Sequence, residues 1–341
     1  MDVKKYNLKK VSIALLAAYV VFGILLDLIA WTQIAECLIG TNGFLAVQAA
    51  GFVLLTAYCV RMVKRDAAGE KTLLGNFIQT IARYEFLIEQ LVSRDFKIKY
   101  KRSVLGVFWS FLNPLLMMSI QYVVFSNLLN VRDDSVKHYA IYLLCGIVIF
   151  NGFVDCCNQS MRAIIGNASL ITKVYVPKMI YPITKVLSAS INIVLSMLPL
   201  LLVTFFYGMF NGLYLTWSVL LLPLALVLLI SFAVGMGLLL SSLMVFFHDV
   251  EFLWSVVSTA WMYATPIIYS LQLLKGKADW LVTLIQFNPM YHYVSFVRTI
   301  IINGCSPAIS EYVICAAFSI GMLVIGGLVF HKTEDKFVLY I

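Results

Sequence analysis

Five positively charged side chains stand directly before an apolar stretch of the sequence. They are Arg94, Lys97, Lys99, Lys101 and Arg102. Arginine forks and lysine ammonium groups both bind phosphate oxygens, so the cluster could contact a phosphate-bearing substrate. The same charges would also anchor the following segment to anionic lipid, with about 1 kcal/mol for each basic residue. Both interpretations stay open from the sequence alone.

Other kinds of chemistry find little support in the sequence. An enzyme that transfers groups between lipid-linked sugars needs a histidine or paired acids that converge at one membrane face. The four histidines lie in separate segments, and only His248 has an acid beside it, at Asp249. No G-x-x-x-x-G-K-[ST] phosphate loop occurs, so any ATP would be bound by a partner. An ion-coupled transporter would place more ionisable groups at mid-membrane.

The composition is that of a membrane protein. Of the 341 residues, 62% are hydrophobic and only 12% are charged, whereas soluble domains carry about 25% charged residues. Seven cysteines are scattered without a C-x-x-C pair, so we interpret them as small hydrophobic residues and expect no metal site. The sequence predicts an all-α polytopic membrane protein.

Apolar windows of about 20 residues are long enough to cross a hydrocarbon core about 30 Å thick. One further stretch, 279–302, is apolar but interrupted by Asn288, Pro289, His292 and Arg298, and we predict that it is re-entrant. The predicted spans lie near 11–30, 44–63, 105–129, 138–160, 184–207, 216–246, 252–270 and 311–330.

The basic residues predict the orientation of these spans. Most lysines and arginines collect in the segments that share one side with the N-terminus, which places both termini in the cytoplasm. The net charge of +8 therefore reflects topology and does not indicate a nucleic-acid partner.

The region 66–104 is predicted to be cytoplasmic. Over 73–92, apolar residues recur at helical spacing among polar ones, as in a helix that lies along a membrane surface. From Phe96 to Lys101 the pattern alternates with a period of two, which predicts an extended or kinked joint before the next span.

The loop 166–186 exposes more apolar residues than water alone would tolerate. Asn167 or Ser169 could cap a short helix there, and Pro177 and Pro182 would keep it from continuing into the next span. The short helix would rest on lipid or dock a soluble subunit. The loop HDVE (248–251) is a second candidate contact, although Asp249 could simply cap the helix that follows.

Aromatic side chains could line a path for a polymer, because flat apolar faces bind sugars weakly and repeatedly. The alternative is a belt at the membrane interface. Arg298 would be costly in an apolar stretch unless it contacts Asn288 or the carbonyls near Pro289. Asp155 would contact another helix or a wet cavity, and Asp27 would lie near the outer interface. The path candidates are Trp109, Tyr122, Trp254, Trp261, Tyr263 and Tyr269.

Several motifs resemble one family. The strings RDFKIKYKRSVLGVFWSFLNPL (94–115), LITKVYVPKMIYP (170–182), FFHDV (246–250), TPIIY (265–269) and FNPMY (287–291) occur in this order. Together they are similar to the permease subunit of ATP-binding-cassette exporters in the polysaccharide and polyol-phosphate branch. That branch includes O-antigen, capsule and teichoic-acid exporters, and the resemblance covers about residues 72–336.

The resemblance implies a six-helix type-2 permease core over 105–341 that pairs with a second copy and docks a separate ATPase subunit. An interface helix (72–93) would precede the core, a coupling helix would lie in 167–182, and 279–302 would form an outer re-entrant hairpin. This chain would bind no cofactor, since ATP and Mg would sit on the partner. The implied coupling residues are Leu170, Ile171, Lys173, Tyr175, Val176, Pro177, Lys178, His248 and Asp249.

The implied substrate is a lipid-linked polysaccharide or teichoic-acid-type polymer, carried outward across a bacterial cell membrane. The basic cluster would then meet the diphosphate that joins the polymer to its lipid. Another amphipathic substrate, or a transferase acting on lipid-linked sugars, is the alternative. Two features depart from the family: the added hairpin at 1–65, and His248 where arginine is common.

Overall fold

The computed structural model describes residues 84–101, 103–128, 138–173, 176–212, 215–271 and 279–340. The chain divides into two compact units, Met1–Gln90 and Leu91–Ile341. The predicted hairpin 1–65 with Asp27, most of the predicted interface helix, Arg102 and Tyr175 lie outside the described residues.

Every regular element within the described residues is helical, as the sequence predicts. Short 3-10 turns precede α4 and α6 and follow α10, and π-helical turns extend α2 and α9. The helices are α1 (Glu85–Tyr100), α2 (Phe108–Tyr122), α3 (Tyr139–Met161), α4 (Ala168–Ile171), α5 (Ile180–Asn211), α6 (Leu222–Phe246), α7 (Val250–Ala264), α8 (Asp279–Gln286), α9 (Pro289–Arg298), α10 (Ile309–Thr333) and α11 (Phe337–Tyr340).

Five helical segments among the described residues are long and apolar enough to cross a membrane. They confirm five of the predicted spans. The predicted span 252–270 is wrong in length, because its helix α7 has only 15 residues, or about 22 Å at 1.5 Å per residue. It ends where Pro266, which lacks an N–H group, restricts Thr265 to an extended backbone. The five segments are Phe108–Phe125, Tyr139–Met161, Ile180–Phe210, Trp217–Phe246 and Ile309–Lys336.

The predicted joint at 96–101 is also wrong, since α1 stays helical through Tyr100. Helical geometry brings the rings of Phe96 and Tyr100 together on one face, with their centroids 5.1 Å apart. The Tyr100 hydroxyl is bonded to Ser110 of α2 and donates to Asn192 of α5 at 2.6 Å. Tertiary contacts therefore outweigh the alternating pattern: α1 ends at Tyr100 and α2 begins at Phe108.

Helices α3, α5 and α6 form the centre of the unit, and α3 is buried along most of its length. Helices α6 and α10 pack closely along each other. A Cβ atom added to Gly326 would lie 2.0 Å from the carbonyl oxygen of Gly235, and one added to Gly235 would lie 2.4 Å from the Met322 backbone. The two glycines let the backbones touch, as small residues do between membrane helices.

The long helices give the bundle two ends. At one end, which we call the α1 end, α1 contacts α3 through Lys99 and Asp155, and α6 contacts α11 through Phe246 and Phe337. At the opposite end, which we call the hairpin end, α9 contacts the segment 265–271 through a hydrogen bond from Arg298 to the Pro266 carbonyl. Three basic segments are predicted to share one membrane side, and their described residues, 94–101, 162–173 with 176–185, and 332–336, all lie at the α1 end.

Candidate functional site

A polar cavity of about 940 Å³ opens at the α1 end. Its wall comes from α1, the C-terminal part of α3 with the turn after it, α5 and the first half of α7. Apolar atoms of Ile98, Met161 and Trp254 line it beside charged side chains. A cavity with this mixture of surfaces suits an amphipathic ligand that bears charge.

Four cations line the cavity: Arg94, Lys99, Arg162 and Lys185. The structure therefore brings together two members of the predicted basic cluster. Lys97 and Lys101 are exposed and do not line the cavity. In the sequence, Arg162 and Lys185 indicate only the orientation of the spans. The sequence places Arg162 and Lys185 on the same predicted membrane side as the basic cluster. It does not show that α3 and α5 bring these two residues to the same cavity.

Three carboxylates face these cations. Lys99 Nζ lies 3.3 Å from Asp155 Oδ2, and Lys185 Nζ lies 2.8 Å from Asp95 Oδ2. Arg94 Nη2 lies 3.0 Å from Asp95 Oδ1 on the same helix. Asp155 contacts another helix through Lys99 and also lines the open cavity.

The start of α7 closes one side of the cavity. Glu251 forms an ion pair with Arg162, which follows α3. Trp254 is buried, and its Nε1 donates to Asn158 Oδ1 of α3 at 2.8 Å. Two contacts thus hold the first turns of α7 against α3.

The predicted coupling segment is less helical than expected. Its helix α4 spans only Ala168–Ile171, and Asn167 makes no side-chain cap on it. The Asn167 Oδ1 atom instead accepts from Arg94 Nη2 at 3.5 Å, and its amide donates to the Ala163 carbonyl at 2.8 Å. Pro182 does not stop the next span either. It lies in the first turn of α5, where a missing N–H group is tolerated.

Side chains of the coupling segment differ in exposure. Leu170, Ile171, Val176 and Pro177 are half-buried, and Lys173 is exposed.

Lys178 joins the coupling segment to the C-terminal part of the chain. Its ammonium group donates to the Glu334 carbonyl and lies 5.9 Å from the ring centroid of Phe337. His248 and Asp249 are exposed at the same end, and Asp249 makes no side-chain cap on α7.

The six predicted path residues do not come together on one surface. Trp254 and Trp261 do share a face of α7, with ring centroids 6.4 Å apart, but that face packs on Phe153 of α3. Tyr122 is half-buried and faces Tyr139. Tyr269 is half-buried, while Trp109 and Tyr263 are exposed.

Arg298 lies in the hairpin end, and the prediction of its hydrogen-bond partners is wrong. Its guanidinium donates to the carbonyls of Tyr142, Pro266 and Ile267 at 2.6–3.3 Å, not to Asn288 or the carbonyls near Pro289. It also lies over the Tyr142 ring, 3.3 Å from the centroid. Gly146 leaves room for it, since an added Cβ would lie 3.0 Å from Arg298 Nη2.

These contacts give hydrogen-bond donors to the backbone carbonyls of the irregular segment after α7. The single hydroxyl proton of Tyr142 can be donated to the Tyr269 carbonyl at 2.9 Å, with the Pro266 carbonyl also within reach at 3.1 Å. The hydroxyl of Tyr139 donates to the Ile268 carbonyl at 2.8 Å. With Arg298, four consecutive carbonyls thus receive side-chain donors. Non-helical backbone needs such partners where water is excluded.

Asn288 and His292 fix the hairpin in other ways. Asn288 caps α9 by accepting from the Met290 N–H group, accepts from Trp261 Nε1 at 2.7 Å and donates to Thr265. Pro289 occupies the first position of α9, where it needs no hydrogen-bond acceptor. The two nitrogens of His292 contact Glu311 Oε2 and the Gln286 carbonyl at 2.9 and 2.8 Å. Both partners accept hydrogen bonds, so the pair favours the doubly protonated ring.

Among residues that the structure describes, no group of three histidine, cysteine or acidic side chains is placed to hold a metal ion. The buried cysteines of this part of the chain are free.

Comparison with known proteins places the chain in a family. Residues 87–302, well over half of the chain, match the family model described as "ABC-2 type transporter". An O-antigen export system permease protein RfbA of Klebsiella pneumoniae is 28% identical over 252 residues, which cover 74% of this chain and 93% of that relative. A protein of the same name from Myxococcus xanthus is 28% identical over 260 residues, 76% of this chain and 97% of the relative. The chain belongs to the ABC-2 type transporter family, as a multi-pass, all-helical membrane protein.

Proposed function

We propose that the chain is the membrane subunit of an ATP-driven exporter that moves a lipid-linked polysaccharide, or a teichoic-acid-type polymer, outward from the cytoplasmic side of a bacterial cell membrane. The names of the relatives support a polysaccharide of the O-antigen kind. The observation that carries the proposal is the cavity at the α1 end, where four cations and apolar side chains meet.

In this proposal the cavity receives the diphosphate that joins the glycan to its lipid. Arg94 and Arg162 offer forked donors and Lys99 and Lys185 offer point charges, both of which suit phosphate oxygens. The apolar lipid chain would remain outside the cavity, along exposed apolar faces such as Phe252, Leu253 and Val256 of α7.

ATP would be hydrolysed by a separate cytoplasmic ATPase subunit, which carries the nucleotide and Mg. The segment 168–178, with His248 and Asp249 beside it at the α1 end, would receive that subunit. Both termini would then be cytoplasmic. A second copy of the chain would complete the path, with exposed aromatic residues such as Trp109 and Tyr263 offering weak, repeated contacts to sugars.

The coupling segment gives a direct test. Val176→Asp places a charge where a half-buried apolar side chain would meet the ATPase, so we expect ATP-dependent export to fall at least about tenfold. Export is measured in proteoliposomes that contain both subunits. Val176→Ile, which keeps the apolar surface, serves as the control. Undiminished export by Val176→Asp would contradict docking at this segment.

A pair of lysines on α1 tests the substrate site. Lys99 lines the cavity and Lys97 does not, so Lys99→Gln should weaken the binding of farnesyl diphosphate about fivefold, while Lys97→Gln changes it little. Binding is measured by calorimetry on protein in phosphatidylcholine nanodiscs. Equal weakening by both variants would assign the phosphate contact to the whole exposed cluster, and no weakening by either would leave the cluster as a lipid anchor.

The alternative of a membrane transferase makes a different prediction. It would turn over lipid-linked sugars without an ATPase subunit. The expectation that only His248 has an acid beside it is wrong, because His292 pairs with Glu311 and His331 pairs with Glu334. The argument against a transferase is instead that the four histidines lie in four different parts of the described structure and do not converge.

A further inference from the structure

The cations of the cavity all have a carboxylate partner within it. Lys99 pairs with Asp155, Arg162 with Glu251, and Arg94 and Lys185 share Asp95. Four positive charges thus face three negative ones, so the cavity without a ligand is close to neutral. A site built only to bind an anion tightly would not need these acids, since each carboxylate repels the phosphate that the cations attract.

We propose that Asp155 and Glu251 are exchangeable counter-ions: the incoming diphosphate displaces them from Lys99 and Arg162, and they return to these cations when it leaves. This inference rests on the proposed function. It assigns the two acids a specific role, which is to keep the site weak enough to release its anionic ligand.

Exposure separates these two acids from Asp95. The side chains of Asp155 and Glu251 are 40% and 36% exposed, whereas that of Asp95 is 9% exposed and contacts two cations. An ion pair that is this open to solvent adds little stability, so a ligand can displace its carboxylate at little cost. Removing Asp95 would leave two partly buried cations unpaired, which makes it a structural residue and a poor test.

The two ion pairs join different helices, so displacing their acids would change how these helices are held together. Lys99 belongs to α1 and Asp155 to α3, while Arg162 follows α3 and Glu251 belongs to α7. Displacing both acids removes one ionic contact between α1 and α3 and one between α3 and α7. Phosphate binding would therefore loosen two walls of the cavity, whereas the contacts of Asp95 with Arg94 and Lys185 remain.

For a transported substrate, release matters more than tight binding. A path for a polymer must bind weakly enough to let its cargo leave. With a doubly charged diphosphate bound, the cavity has a net charge of about −1, and the nearby carboxylates favour departure. Without them the bound complex would keep excess positive charge and hold the ligand longer.

The test replaces each acid by its neutral isostere. Asp155→Asn and Glu251→Gln should each bind farnesyl diphosphate about fivefold more tightly than the wild type, with slower dissociation. Binding is measured by calorimetry, and dissociation by stopped-flow tryptophan fluorescence, on the full chain in phosphatidylcholine nanodiscs. With the ATPase subunit present in proteoliposomes, both variants should export more slowly despite the tighter binding.

Controls separate this inference from the proposed function. Asp335→Asn removes an exposed negative charge outside the cavity and should leave binding unchanged. If the wild type binds farnesyl diphosphate no better than farnesol, the diphosphate site itself is wrong. If the wild type prefers the diphosphate but Asp155→Asn and Glu251→Gln bind it equally well or more weakly, only the counter-ion role is wrong. A higher export rate in either variant would also overturn that role.

Discussion

Replacing Gly326 by valine is expected to abolish the native packing of the bundle. A Cβ atom at this position would lie 2.0 Å from the carbonyl oxygen of Gly235, inside the closest distance that backbone atoms tolerate. Helices α6 and α10 would have to separate along their whole contact, which loses the dispersion between them. We expect the free energy of unfolding to fall by at least about 3 kcal/mol. The measurement is thermal unfolding of detergent-purified protein, with size-exclusion chromatography to follow aggregation.

Two variants sharpen this prediction. Gly326→Ala adds only the first carbon and should give a smaller loss of stability, which remains measurable if the valine variant does not fold. Gly327→Ala changes the next residue of α10, where an added Cβ meets nothing within 4 Å. It should be neutral or stabilising by up to about 1 kcal/mol, because alanine favours helix. Equal stability of the two alanine variants would contradict the close contact of α6 and α10.

Replacing Arg298 by methionine is expected to destabilise the hairpin end. The methionine fills similar space but donates no hydrogen bonds, so the carbonyls of Pro266 and Ile267 lose their charged donor. The stacking on Tyr142 is lost as well. Buried carbonyls without partners, and hydrogen bonds from a charged group, together predict a loss of about 4 kcal/mol in the free energy of unfolding. Thermal unfolding in detergent measures it.

Two substitutions test whether the fork of the guanidinium matters. Arg298→Lys keeps the charge, but one ammonium group cannot reach three carbonyls in the same geometry, so we expect an intermediate loss. Lys332→Met removes an exposed cation from the other end of the bundle and should change stability by less than about 0.5 kcal/mol. Wild-type stability of Arg298→Met would show that the segment 265–270 does not depend on this side chain.

Arg298 and two tyrosines of α3 explain how the permease holds an irregular segment at the hairpin end. Helix α7 is too short to reach as far as the long helices, and the chain after it has no helical hydrogen bonds of its own. Arg298, Tyr139 and Tyr142 supply the missing donors from α3 and α9. These donors fix the C-terminal end of α7, while the ion pair of Glu251 at its start is exposed.

Local periodicity predicts the wrong backbone conformation where tertiary contacts are stronger. The alternation from Phe96 to Lys101 predicts an extended joint, yet α1 continues because Tyr100 bonds Ser110 and Asn192 on two other helices. Trp254 and Trp261 are seven residues apart, a spacing that places both on one helix face, but only the fold shows that this face packs on Phe153. Which face of a helix is buried depends on its neighbours, and a single apolar helix has no sequence signal for that.

The sequence by itself determined that this is a helical membrane protein, where five of its spans lie, and which basic segments share one side. Those properties follow from the length and polarity of local segments, because the bilayer acts on each segment separately. Only the tertiary structure decided that Arg162 and Lys185 join Arg94 and Lys99 around one cavity, and that Arg298 serves the backbone after α7. Such partners are distant in sequence, and packing of the long helices alone brings them within hydrogen-bonding distance.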